Sequence, residues 1–88
     1  MTEFTYTFKN TQSETTETDL RFKCLVTNNE TGVERACEVA IRLSDITDSS
    51  QVPAMYAAKC AEKKAEFLAI DQATEEAQNL VGTEPLVI

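Results

Sequence analysis

The side chains most able to bind a metal or act as a nucleophile in this sequence are three cysteines, Cys24, Cys37 and Cys60. A structural zinc site needs a tetrahedral set of Cys or His ligands, usually arranged in closely spaced pairs. The cysteines are thirteen and twenty-three residues apart, and the sequence has no histidine. We therefore expect no metal, and we expect reduced thiols that pack as small apolar side chains.

Other kinds of catalytic chemistry also lack the residues they need. Nucleophilic catalysis usually needs a histidine base, and no Ser-x-x-Lys sequence replaces it. The two glycines, Gly32 and Gly82, are too far apart to form a phosphate-binding loop. The neighbouring carboxylates Glu75 and Glu76 fit the solvated surface of a helix. The sequence predicts a protein that is not an enzyme and binds no cofactor.

The charge of the chain is strongly negative, with a formal net charge of −7. From residue 65 to residue 88 the sequence has no base, and its acids are Glu66, Asp71, Glu75, Glu76 and Glu84. Such a surface repels phosphate groups, so direct nucleic-acid binding is disfavoured, whereas a basic protein surface would be attracted. The alternative interpretation is that the acids only keep a small protein soluble.

Strict alternation of apolar and polar residues predicts three strands. The first spans 3–9, with Phe4, Tyr6 and Phe8 on one face, and is followed by a polar connection over 10–18. Strands at 19–28 and 33–44 are joined by a four-residue loop that ends at Gly32. This loop places Cys24 opposite Cys37. Further inner pairs are Phe22 with Val39 and Leu20 with Ile41, and the outer pairs include Lys23 with Glu38 and Asp19 with Arg42.

A long helix is predicted over about 52–80, because this stretch is rich in helix-forming residues and Pro53 fits its first turn. Ser49 or Ser50 is the candidate N-cap, and Gly82 the C-terminal stop. At about 100° per residue the helix has two apolar faces. One is bulky and contains Tyr56, Cys60, Phe67 and Ile70. The other is made of small residues and contains Ala54, Ala57, Ala58, Ala61, Ala65 and Leu68.

These elements predict a single α+β domain over residues 1–88, in which a three-stranded antiparallel β-meander is followed by one C-terminal helix packed on one face. An apolar tail covers 83–88. No stretch reaches the roughly 20 apolar residues of a membrane span, and no signal peptide is recognisable. We expect a cytoplasmic protein with no membrane contact, located in the host-cell cytoplasm if it is viral.

The leading functional hypothesis is a non-catalytic protein-binding module. A sheet covers one helix face, so the other would meet a second copy, giving a homodimer, or another protein. Size and charge suggest one version, a virus-encoded inhibitor or decoy that occupies a basic, nucleic-acid-binding surface of its partner. The predicted partner-binding residues are Ala57, Ala61, Ala65, Leu68, Asp71, Glu75 and Glu76.

Two alternatives remain open. The protein could be a structural subunit of a larger assembly that docks through the tail Leu86-Val87-Ile88. It could also bind a small anionic or nucleotide ligand on the outer face of the sheet, where Arg21, Lys23 and Arg42 are expected. Steep loss of binding with salt would favour a charge-driven decoy over an apolar subunit.

Overall fold

The computed structural model describes residues 2–88 and confirms the predicted β-β-β-α architecture. The strands are β1 (Tyr6–Thr15), β2 (Asp19–Asn28) and β3 (Glu34–Arg42), and they form one antiparallel sheet in the order β1-β2-β3. Two short 3₁₀ turns, Leu43–Asp45 and Ser49–Gln51, lead into the helix α1 (Val52–Asn79).

The hairpin between β2 and β3 has the predicted register, with Cys24 opposite Cys37 and Lys23 opposite Glu38. Gly32 ends the loop with a φ of 76°, a backbone conformation that residues with a Cβ rarely adopt. Both predicted outer pairs, Lys23 with Glu38 and Asp19 with Arg42, lie opposite each other. The close ion contacts on this face, however, are made by Arg21. Glu38 binds Arg21, its diagonal neighbour, at 3.2 Å. Asp19 lies 3.6 Å from the same guanidinium. Arginine reaches diagonal partners because its side chain is long.

The first strand begins and ends later than the predicted 3–9. It starts at Tyr6, and it is longer because residues 10–15 pair with β2 instead of forming part of a loop. The register shifts between Asn10 and Gln12, and Thr11 donates a hydrogen bond of 3.0 Å to the carbonyl oxygen of Lys23 at this bulge. Residues 10–15 are exposed, so they show no apolar alternation. Backbone pairing with β2 makes this segment a strand.

The 3₁₀ turn Ser49–Gln51, which leads directly into α1, is capped by Asp48. The prediction of Ser49 or Ser50 as the N-cap is wrong, because α1 itself begins after Gln51 without a side-chain cap. The Asp48 carboxylate accepts a hydrogen bond of 3.0 Å from the backbone N–H of Ser50. In return, the Gln51 side chain accepts one of 3.2 Å from the Asp48 N–H. This reciprocal capping box satisfies amide groups that the first turn leaves unpaired.

The core lies between the sheet and α1. As predicted, Phe22, Val39, Ile41 and Phe67 are at most 9% exposed. The phenyl ring of Phe22 meets the ring of Tyr56 edge to face, with centroids 4.9 Å apart.

The buried face of α1 rotates around the helix axis along its length, as expected for a straight helix on a twisted sheet. In the N-terminal half the half-buried residues include Tyr56, Cys60 and Lys63, and in the C-terminal half they include Leu68 and Gln72. Two assignments to helix faces are therefore wrong. Ile70 is 49% exposed although it was placed on the bulky face, and Leu68 is half-buried although it was placed on the small one.

The molecule is elongated, with extents of 57 × 27 × 19 Å and a radius of gyration of 17.4 Å. A compact domain of this length would have a radius of gyration of about 12 Å. Within residues 2–88, no helix has both the length and the apolar character needed to cross a bilayer.

Candidate functional site

Three side chains, one from each strand, converge on the carboxylate of Asp71 in α1. Arg35 of β3 binds it with two hydrogen bonds, of 2.6 Å to Oδ1 and 3.2 Å to Oδ2. Tyr6 of β1 donates its hydroxyl to Oδ2 at 2.6 Å, and Asn28 of β2 donates its amide to the same oxygen at 2.9 Å. Because every element contributes one group, this Asp71 cluster ties α1 to all three strands.

The Asp71 cluster is largely shielded from water, since Asp71 is 8% exposed and Asn28 only 1%. Hydrogen bonds from Arg35 are the main reason that the pKa of Asp71 falls to about 2, against the opposing effect of burial. Burial, together with the bond to Asp71, raises the pKa of Tyr6 to about 12. Arg35 also lies over the ring of Phe67, 5.5 Å from its centroid. Around neutral pH, Asp71 is therefore ionised and Tyr6 is neutral.

This arrangement favours a structural role for the Asp71 cluster. Both carboxylate oxygens accept hydrogen bonds, and the depressed pKa removes Asp71 as a proton carrier near pH 7. Asp71 was predicted to present its carboxylate to a partner, but the structure directs it inwards to Arg35. The sequence contained a signal for this pairing. Arg35 is two residues before Cys37 and four before Val39, so its side chain lies on the same inner face of β3, and a buried charge requires a partner.

A separate group of carboxylates, which we call the acidic end, comes from the segment before β1, the β2–β3 loop and the C-terminal half of α1. Glu30 accepts hydrogen bonds from the N–H and hydroxyl of Thr5, at 2.9 and 3.0 Å, and these bonds lower its pKa. Glu75 accepts a hydrogen bond from the Thr2 hydroxyl and lines a groove of about 360 Å³ beside Thr31. The acidic end consists of Glu3, Glu30, Glu75 and Glu76.

The acidic end keeps its negative charge unneutralised. Arg35 is the nearby base, and Asp71 already occupies its guanidinium. No ion pair involves Glu30, Glu75 or Glu76 within residues 2–88. The structure therefore brings Glu75, predicted as a partner-binding residue, to the same end of the molecule as Glu30, because Thr2 and Thr5 bind one carboxylate each. Glu76 and Glu3 are the chain neighbours of Glu75 and Thr2.

The small-residue face of α1 is exposed over its N-terminal half. We call Ala54, Ala57, Ala58, Ala61 and Ala65 the alanine face, and all five are exposed. Leu68, predicted to continue this surface, turns partly towards the interior. Of the predicted partner-binding residues, Ala57, Ala61 and Ala65 therefore lie on the alanine face, whereas Glu75 and Glu76 belong to the acidic end and Asp71 is buried.

The basic residues of the outer sheet face do not converge on one pocket. Arg21 is held by Glu38 and lies near Asp19. Arg42 lines a different depression, of about 530 Å³, together with Glu17 and Asp19. Lys23 stands directly opposite Glu38. An anion at any of these positions would therefore meet a carboxylate, which weakens the small-anion hypothesis.

The thiols lie beneath the helix. The Cys24 sulfur is 3.2 Å from the Tyr56 hydroxyl, and Cys37 and Cys60 are half-buried. Burial raises the pKa of both Cys37 and Cys60, which makes their reactive thiolate forms scarce at neutral pH. Among residues 2–88, no group of three or more Cys, Asp or Glu side chains has a geometry that could hold a metal ion.

Comparisons with protein-family models, curated proteins and solved structures found no match for this chain.

Proposed function

We propose that this protein is a non-catalytic binding module whose acidic end engages a basic surface on another protein. The observation that carries this proposal is that Thr2 and Thr5, three residues apart, hydrogen-bond Glu75 and Glu30, so that acids from distant parts of the sequence lie at one end of the molecule. Asp71 already neutralises Arg35 there. A field of one sign on an exposed surface steers an oppositely charged partner and speeds its association.

The fold supports this role because it holds the carboxylates in defined positions. Thr5 fixes Glu30 through two hydrogen bonds, and Thr2 fixes Glu75. Gln72, one turn before Glu75 and Glu76, donates a further hydrogen bond of 3.0 Å to the Thr2 carbonyl oxygen. Carboxylates that are already ordered lose less conformational entropy when a partner binds.

The form of the proposal that we favour is an inhibitor or decoy. Carboxylates spread over a rigid surface can occupy a patch of lysines and arginines that otherwise binds phosphate groups. The alanine face adds a second contact, since small side chains allow close approach of a partner helix. A virus-encoded inhibitor would fit this description.

The experiment is affinity capture from a lysate of the organism or host in which the chain is made. The immobilised protein is compared with a variant that combines Glu30→Gln, Glu75→Gln and Glu76→Gln. A matched control carries Glu14→Gln, Glu17→Gln and Asp45→Asn, which remove the same charge elsewhere on the molecule. We expect a basic protein to be captured by the parent and the control but lost by the acidic-end variant.

Ionic strength supplies the second readout. Raising the salt from roughly 0.05 to 0.3 M shortens the Debye length from about 14 to 6 Å, so charge-driven capture should fall steeply. Capture that is equal for the acidic-end variant and its control, or that does not change with salt, would show that the acidic end is not the binding surface.

A second candidate function, subunit of a larger assembly, is favoured by the apolar segment after α1. Its large side chains are 71–109% exposed, and they are Leu80, Val81, Leu86, Val87 and Ile88. Contacts of this type would be insensitive to salt. Replacing Leu86 and Ile88 by Ser would then abolish assembly, whereas the charge variants would leave it unchanged.

A further inference from the structure

We propose that the free edge of β3 pairs with β3 of a second copy, antiparallel and centred on Glu38, to form a six-stranded sheet across a symmetric dimer. This surface is distinct from the acidic end, so a result against the dimer would not contradict the proposed function. It also replaces the alanine face as the site of self-association.

The backbone of β3 has unused hydrogen-bonding groups along this edge. The N–H of Asn28 donates to the carbonyl oxygen of Val33 at 2.9 Å, so these two residues form a hydrogen-bonded pair of the hairpin. Every second pair along the two strands is then hydrogen-bonded as well. In this register the backbone N–H and C=O groups that bind β2 belong to Arg35, Cys37, Val39 and Ile41. The N–H and C=O groups of the alternate residues point away from the sheet, and these residues are Glu34, Ala36, Glu38, Ala40 and Arg42.

This edge is well suited to accept another strand. β3 is a regular strand of nine residues, with neither a bulge nor a proline. The opposite edge of the sheet, formed by β1, is interrupted by the bulge at Thr11. Natural edge strands are commonly protected by such irregularities, and β3 lacks them. The difference points to β3 as the edge that is covered by a partner.

Charge complementarity identifies the second copy as that partner. Glu34 and Arg42 lie at opposite ends of β3, both are exposed, and neither forms an ion pair within residues 2–88. Antiparallel pairing centred on Glu38 places Glu34 of each chain opposite Arg42 of the other, which makes two equivalent ion pairs.

The remaining positions of this register are also compatible. Ala36 faces Ala40 of the second copy, so only small side chains meet there. The two Glu38 side chains face each other at the axis, where Arg21 of each chain lies 3.2 Å from its own Glu38 and offsets the repulsion. A shift by one repeat of the strand would separate Glu34 from Arg42, so the charges select this register.

The pairing would form about ten backbone hydrogen bonds, two for each outward residue facing the second copy. It would also shelter Val33, which directly precedes β3 and is 47% exposed. The alanine face offers neither hydrogen bonds nor large apolar side chains. The β3 edge is therefore the stronger site for a second copy.

The first test is sedimentation equilibrium of the full chain with an Ala40→Pro substitution. The Ala40 N–H is not used by its own sheet, so the monomer should keep its far-UV circular dichroism spectrum. In the dimer, each proline removes one backbone donor between the two β3 strands, and its ring clashes with the strand of the second copy. We expect a dimeric parent and a dimer Kd raised at least about tenfold by Ala40→Pro. Ala40→Val, which keeps the N–H, should stay dimeric, as should Ala61→Glu on the alanine face.

The second test exchanges the charges and does not depend on proline. Glu34→Arg and Arg42→Glu should each raise the Kd about tenfold, because each turns two attractions into two repulsions. The double variant Glu34→Arg/Arg42→Glu should return to within about threefold of the parent. A monomeric parent at millimolar concentration, a dimer lost with Ala61→Glu but kept with Ala40→Pro, or a double variant as weak as the single ones would overturn the proposal.

Discussion

Substitution of Asp71 by asparagine tests the Asp71 cluster directly. The side chain keeps its shape but loses its charge, and its new amide nitrogen must face at least one of the donors that now converge on the carboxylate. Arg35, whose side chain is 27% exposed, would lose its ionic partner. We expect a folded but clearly less stable protein.

The size of the effect follows from the pKa of Asp71. A folded-state pKa of about 2 lies almost two units below its ordinary value of 3.8. Each unit corresponds to about 1.4 kcal/mol, so the charged form contributes roughly 2.5 kcal/mol to the free energy of unfolding at neutral pH. Breaking a buried ion pair costs about 3–5 kcal/mol, and the partial exposure of Arg35 reduces this figure. Together these arguments predict a loss of about 3 kcal/mol.

Urea denaturation followed by far-UV circular dichroism, with Glu76→Gln as the control, measures this loss. Glu76 lies on the same helix but is exposed, so its substitution should change the free energy of unfolding by less than about 0.5 kcal/mol. A variant with Arg35→Met and Asp71→Leu should recover part of the stability, because it removes both charges together.

The pH dependence supplies an independent check. Because the pKa of Asp71 is lower in the folded state, its contribution is fully present above the unfolded pKa of about 4 and is lost as pH falls towards 2. The difference between the parent and Asp71→Asn should therefore be constant near neutrality and shrink between about pH 4 and 2. A variant within about 0.5 kcal/mol of the parent, or a difference that persists at pH 2, would refute the reasoning.

Three further predictions concern the core, the tyrosine of the Asp71 cluster and the helix cap. Phe67→Ala should cost about 3–5 kcal/mol and unfold much of the population, whereas Ile70→Ala, at a 49% exposed position, should cost less than about 1 kcal/mol by urea denaturation. Tyr6 has a folded pKa of about 12, above its ordinary value of 10.0, so its stabilising contribution is complete below about pH 10 and disappears towards pH 12. Phenolate absorbance in a pH titration should show this delayed ionisation in the parent, and an ordinary midpoint would contradict it. Asp48→Ala should lower the free energy of unfolding by about 1 kcal/mol through loss of the capping box, with Asp45→Ala as the control; equal effects of the two substitutions would argue against the cap.

The local features of the fold could be read from the sequence because each depends on neighbouring residues. Alternation determines which face of β2 and β3 is buried, and a one-residue slip would expose every core residue of the hairpin. Cys24 therefore had to face Cys37. The length of α1 likewise follows from a stretch without internal glycine and from helix-forming residues.

Tertiary structure decided the features that depend on two distant segments. Residues 10–15 form a strand because β2 offers backbone partners, not because of their own pattern. Ile70 and Leu68 exchange roles because the twisted sheet meets a different side of α1 at each end. Asp71 appeared to be one more surface acid, yet it lies where Tyr6, Asn28 and Arg35 converge. A carboxylate on an acidic helix has the same sequence signature whether it faces water or a guanidinium, and only the packing of α1 on the sheet separates the two.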